Sequence, residues 1–89
     1  MTEHTVEIIN RLGLHARAAA KLVDCAARFS SKIQIGKEGN MVDAKSIMSV
    51  MMLAAGKGST LQLHTSGRDE LEAAEAIIEL IGNRFGEPD

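Results

Sequence analysis

The sequence predicts an α+β domain in which one sheet carries its helices on a single face. Two-residue alternation of apolar and polar side chains recurs in four short segments. Helical spacing recurs in two longer ones, with a short apolar helix between them. The segments interleave as strand, helix, strand, strand, helix, strand, helix, and half-polar strands tolerate one open side, so the helices are expected together on the other. The 89 residues have room for one domain, residues 1–89, with a thin core, because folding at this size removes only about 60 to 65% of the unfolded surface from water.

Thr5 to Ile9 alternates as a half-buried strand does, with Val6 and Ile8 on one face and Thr5 and Glu7 on the other. Gly13 interrupts it. From Ala16 to Phe29, Ala19, Leu22, Val23, Ala26 and Phe29 recur at helical spacing, with Arg17, Lys21, Asp24 and Arg28 opposite. Lys32 to Gly36 alternates through Ile33 and Ile35, and Gly36-Lys37-Glu38-Gly39-Asn40 supplies hairpin residues leading into Met41 to Asp43. Ser46 can cap a short helix from Ile47 to about Leu53, which should stop near Gly56 or Gly58. Thr60 to Thr65 alternates through Leu61 and Leu63. Asp69 and Glu72 have capping-box spacing before a last helix whose expected buried face is Leu71, Ala74, Ile77, Ile78 and Ile81. Pro88 lies in a tail expected to be frayed.

Composition removes several function classes. Apolar residues make up 45% of the chain and aromatics 2%, so the core is aliphatic. A mixed net charge of -2, without a basic stripe or interleaved aromatics, argues against nucleic acid. No apolar run approaches the ~20 residues needed to cross a bilayer, and the first residues lack a signal pattern, so a cytoplasmic protein without a membrane partner is expected. Cys25 has no disulfide partner and no cation beside it in sequence, so it reads as a small helical residue. His4 and His64 have no ligands at metal spacing. Without a glycine-rich phosphate loop or a nucleophile elbow, no nucleotide, cofactor or hydrolase chemistry is expected.

The strongest local signal is Gly13-Leu14-His15-Ala16-Arg17, which sets an imidazole and a guanidinium where a helix should begin. The first amides of a helix have no internal acceptor and carry partial positive charge. A phosphoryl group on a His15 ring nitrogen could take hydrogen bonds from the amides of Ala16 and Arg17, with Arg17 adding a charged donor. The dipole contributes only ~0.3 to 1 kcal/mol when exposed, or ~2 when partly buried, so the group would be held loosely enough to be passed on. Imidazole is neutral and nucleophilic over much of the physiological range. On local chemistry alone, the plainer reading of His15 is a surface histidine in a loop, and that of Ser46 a simple helix cap.

Gly-Leu-His-Ala-Arg at residues 13 to 17, with Asp43-Ala44-Lys45-Ser46-Ile47-Met48 further on, resembles the histidine-containing phosphocarrier (HPr) family of the bacterial phosphoenolpyruvate-dependent phosphotransferase system. The resemblance implies an open-faced sandwich, a four-stranded antiparallel sheet with three helices on one side, in a stoichiometric carrier rather than an enzyme. It implies that His15 takes a phosphoryl group on Nδ1 from phosphorylated enzyme I and gives it to a histidine of an enzyme II A-type protein. Arg17 matches the arginine that steadies the phosphate, and Ser46 matches the serine that a dedicated kinase phosphorylates in many members. Ala18 stands where sugar-transport members commonly have proline, and the run from Arg11 to Ala20 is similar to the nitrogen-related branch (NPr).

The helix after Ser46 is apolar nearly all round, only Ser49 being polar. Val50 and Leu53 are expected inward, and Ile47, Met48 and Met51 partly outward as an adaptable docking surface for partners met in turn. A monomer is expected. Two rivals stand beside the carrier: a regulatory binding module of the same fold switched at Ser46, and a small enzyme or ligand-binding domain, which would need a closed apolar pocket.

Overall fold

A computed structural model of the chain describes residues 1–88. The four strands are β1 (Thr2–Glu7), β2 (Lys32–Lys37), β3 (Asn40–Asp43) and β4 (Thr60–Ser66). The helices are α1 (Ala16–Ala27), α2 (Ile47–Met51) and α3 (Glu70–Gly82), and a single 3-10 turn, Arg84–Gly86, follows. The strands form one antiparallel sheet in the order β1-β4-β2-β3. The chain thus has the α+β order expected of it, with the last strand paired between the first and the second.

The pleat decides what each strand buries. Ile33 and Ile35 of β2 and Leu61, Leu63 and Thr65 of β4 are buried, while Gln34, Gln62 and His64 between them are partly exposed. Helix α1 closes the core with Ala18, Ala19, Leu22, Cys25 and Ala26, and α3 with Ala73, Ala74, Ile77 and Ile81. Glu38 and Gly39 both take left-handed backbone in the two-residue turn that joins β2 to β3, the geometry that matches strand twist. Burial pushes the Cys25 thiol up, outweighing the pull of Arg28 one helical turn on.

Several expectations are corrected at element ends. Strand β1 starts at Thr2 rather than Thr5, because the main-chain ladder to β4 reaches Thr65 whether or not the side chains alternate. Helix α2 closes at Met52, and the left-handed residue that follows it is Ala54, ahead of both Gly56 and Gly58. The buried face of α3 keeps Ala74, Ile77 and Ile81 as expected, with Ile78 partly buried, but Ala73 joins it and Leu71, at the first turn, is 64% exposed. Asp69 caps α3 by position but makes no side-chain cap bond. Its carboxylate instead accepts from the backbone N–H groups of Ser30 and Ser31 and from the Ser31 hydroxyl, tying α3 to the entry of β2. The tail is docked rather than frayed: Phe85 is buried in the core and Glu87 is packed against the loop before α1.

The Ser31 hydroxyl and the amides of Ser30 and Ser31 hold the Asp69 carboxyl down to about 2, against an ordinary value of 3.8. A depressed carboxyl stabilises the fold above the unfolded value and loses that contribution as pH falls through the folded one. Unfolding monitored from pH 5 to pH 2 should therefore show stability falling with acid, and Asp69→Asn should be less stable at neutral pH with a flatter acid limb. Gly13 has φ +67, and a Cβ there would lie 2.5 Å from the Ala55 carbonyl oxygen and 2.7 Å from Gly56 Cα, both backbone atoms. Gly13→Ala should lose about 2 to 4 kcal/mol in denaturant unfolding.

Candidate functional site

Gly13 and Leu14 build the site from the backbone up. The close approach of Gly13 to Ala55 and Gly56, with the hydrogen bond from Leu14 N to Ala55 O at 2.8 Å, pins the loop before α1 to the segment after α2. Leu14 is buried, so the next side chain is turned outward at a fixed place. That residue is His15, the N-cap of α1, with extended backbone (φ -71, ψ 176) and its carbonyl accepting from Ala19 N at 2.8 Å.

The His15 ring is 27% exposed and faces the helix start. Nδ1 accepts from the backbone N–H of Arg17 at 3.3 Å, so its lone pair lies on the opening amides of α1. Nε2 meets Glu87 Oε2. With Nδ1 accepting, these partners assign the proton to Nε2. The other oxygen, Glu87 Oε1, accepts from Asn10 Nδ2 at 2.9 Å, and the same amide donates to Gly13 O at 2.9 Å. Asn10 is fully buried. The Asn10 amide first, and the His15 ring second, hold the Glu87 carboxyl below the usual glutamate range.

Arg84 (φ +57) and Phe85 (φ +55) take left-handed backbone in succession, a conformation that costs non-glycine residues on the order of 1 to 3 kcal/mol each. Phe85 in the core and a 2.6 Å hydrogen bond from Lys21 Nζ to Phe85 O hold this turn, which brings Glu87 back to His15. His15, Arg17, Glu87, Arg11 and Leu12 line an open groove of about 480 Å³.

Ser46 lies on another element, as N-cap of α2, with Oγ accepting from Ser49 N at 3.4 Å. Val50 and Leu53 face the core, while Ile47, Met48 (68% exposed), Met51 and Met52 (79% exposed) face outward. The two helices pack together. Asn10, Lys21 and Glu87 were missed in the sequence reading. Phe85, one of two aromatics in the chain, was the available signal, since a large apolar residue near an end rarely stays in water. Among the described residues no group of three or more His, Cys, Asp or Glu side chains could hold a metal ion, and no helix is long and apolar enough to cross a membrane.

The model of a family described as "PTS HPr component phosphorylation site" matches residues 2–83. The chain belongs to the HPr family. It is 58% identical over 87 residues to the phosphocarrier protein HPr of Cupriavidus necator, covering 98% of each chain. It superposes on a solved HPr from Thermoanaerobacter tengcongensis with a TM-score of 0.96 at 46% identity, covering all of both chains. A second solved form of that organism's HPr, a dimer, superposes at 0.79 with 47% identity over 98% and 100% of the chains. The expectation of a monomer therefore has no support from these relatives. Both organisms' proteins are named HPr, and neither name bears on the similarity to the nitrogen-related branch. As an HPr the protein is a phosphocarrier component of the phosphotransferase system and not an enzyme.

Proposed function

We propose that His15 accepts a phosphoryl group on Nδ1 from phosphorylated enzyme I and passes it to a histidine of an enzyme II A-type protein in the cytoplasm. The observation that carries this is the hydrogen bond from Arg17 N to His15 Nδ1, which aims the lone pair of one ring nitrogen at the start of α1. Phosphorus joined to that nitrogen brings its oxygens to the amides of Ala16 and Arg17, where partial positive charge gathers, and within the reach of the Arg17 side chain along the groove. The amide that now binds the lone pair then binds the phosphate. A partly exposed dipole holds an anion by at most ~2 kcal/mol, which suits a group that must leave again.

The outward face of α2, Ile47, Met48 and Met51, is the proposed docking surface for both partners. Its flexible thioethers adapt to unlike surfaces, and contacts of this kind are small and short-lived. Ser46 is the proposed regulatory phosphorylation site for a dedicated kinase. Its hydroxyl already caps α2, so a phosphate placed there adds roughly -1.5 to -2 charges at the edge of the docking surface without unfolding the helix.

Incubation with phosphoenolpyruvate and enzyme I should give the protein one acid-labile phosphate, absent from His15→Ala. Persistence of that phosphate in His15→Ala removes the assignment, and a wild type that takes none favours the binding-module reading. Ser46→Asp should slow phosphotransfer from enzyme I by repelling an acidic donor surface, and a rate equal to that of the wild type counts against Ser46 as a switch.

A further inference from the structure

Opposite the nitrogen assigned to phosphate, the His15 ring meets a carboxylate that is held in place from behind. Glu87 reaches it over two successive left-handed residues, with Phe85 sunk in the core and Lys21 bonded to the Phe85 carbonyl. Asn10 completes the clasp. Its buried amide nitrogen donates to Glu87 Oε1 and to Gly13 O, the carbonyl two residues before His15, so the carboxylate is fixed relative to the loop that carries the ring. Asn10 Oδ1 is buried without a hydrogen-bond partner among the described residues, so its two acceptors alone set the way the amide faces.

We infer that Glu87 is a positioning residue for phosphotransfer: clasped by Asn10, its carboxylate keeps the proton on Nε2 of His15 and neutralises the cation formed when Nδ1 carries phosphorus. The inference rests on the proposal that His15 is the phosphoryl acceptor. As the Nδ1 lone pair forms its bond to phosphorus, the bond from phosphorus to the donor breaks and its electron pair leaves with the donor. No proton moves. The ring keeps its Nε2 proton and becomes positive, beside a carboxylate oxygen already in hydrogen-bond contact. When the acceptor attacks phosphorus, the electron pair of the breaking bond returns to Nδ1 and the ring is neutral again. A fixed carboxylate needs little reorganisation at either step.

The test uses the full chain with phosphoenolpyruvate and enzyme I, and reads the equilibrium phosphorylated fraction together with the ¹⁵N spectrum of the His15 ring. Glu87→Gln keeps the shape of the side chain and removes the charge. Its phosphotransfer equilibrium constant should fall about tenfold, the scale of one partly exposed charge-assisted hydrogen bond, and the Nε2–H signal of the phosphorylated ring should be lost to exchange. Asn10→Ala should weaken transfer in the same direction, and Asn10→Ala combined with Glu87→Gln should be no worse than Glu87→Gln alone, since the amide acts through the carboxylate. Additive losses, or a Glu87→Gln protein with the wild-type equilibrium and ring signal, overturn the assignment. A wild type that gains no phosphate on His15 overturns the function beneath it.

Discussion

The site depends on a close backbone contact between two loops. Gly13 lies so near Ala55 and Gly56 that no side chain fits between them, and Leu14 donates to the Ala55 carbonyl. This contact fixes where α1 begins and which way His15 faces. It also sets the distance between α1 and α2, the helices capped by His15 and Ser46. A thin aliphatic core has little excess stability for holding loops in place, so a main-chain contact that excludes a Cβ serves where bulk packing is limited.

Physical chemistry explains the division of labour at His15. One ring nitrogen faces a helix start, where anions are stabilised, and the other faces a carboxylate, where cations are. The ring bridges opposite fields, and under the proposed transfer its own charge would change on phosphorylation. The surrounding groups are already aligned in the unmodified state.

Much of this was legible in the sequence, because the signals were periodic or local. Alternation through Ile33 and Ile35 and through Leu61 and Leu63 marked the central strands, and the polar cap at Ser46 marked α2. The glycine and histidine at 13 and 15 marked the start of α1. What stayed illegible was tertiary. Asp69 has capping-box spacing, yet its carboxylate turns to Ser30 and Ser31, which are distant in sequence and near only after folding. Leu71 falls on the expected apolar face, but it stands 64% exposed while Ala73 is buried beside Ala74. Asn10 and Glu87 lie in segments without period, so nothing local announced that they would meet across nearly the whole chain.

The docked tail also bears on how the protein is handled at the bench. Glu87 and Pro88 form part of the groove wall beside His15. A bulky group carried on Glu87 or Pro88 themselves would stand in the groove beside His15, in the way of the proposed partners, and would pull on the clasp. Strand β1, at the edge of the sheet, takes no part in lining that groove, so a group carried there leaves it open.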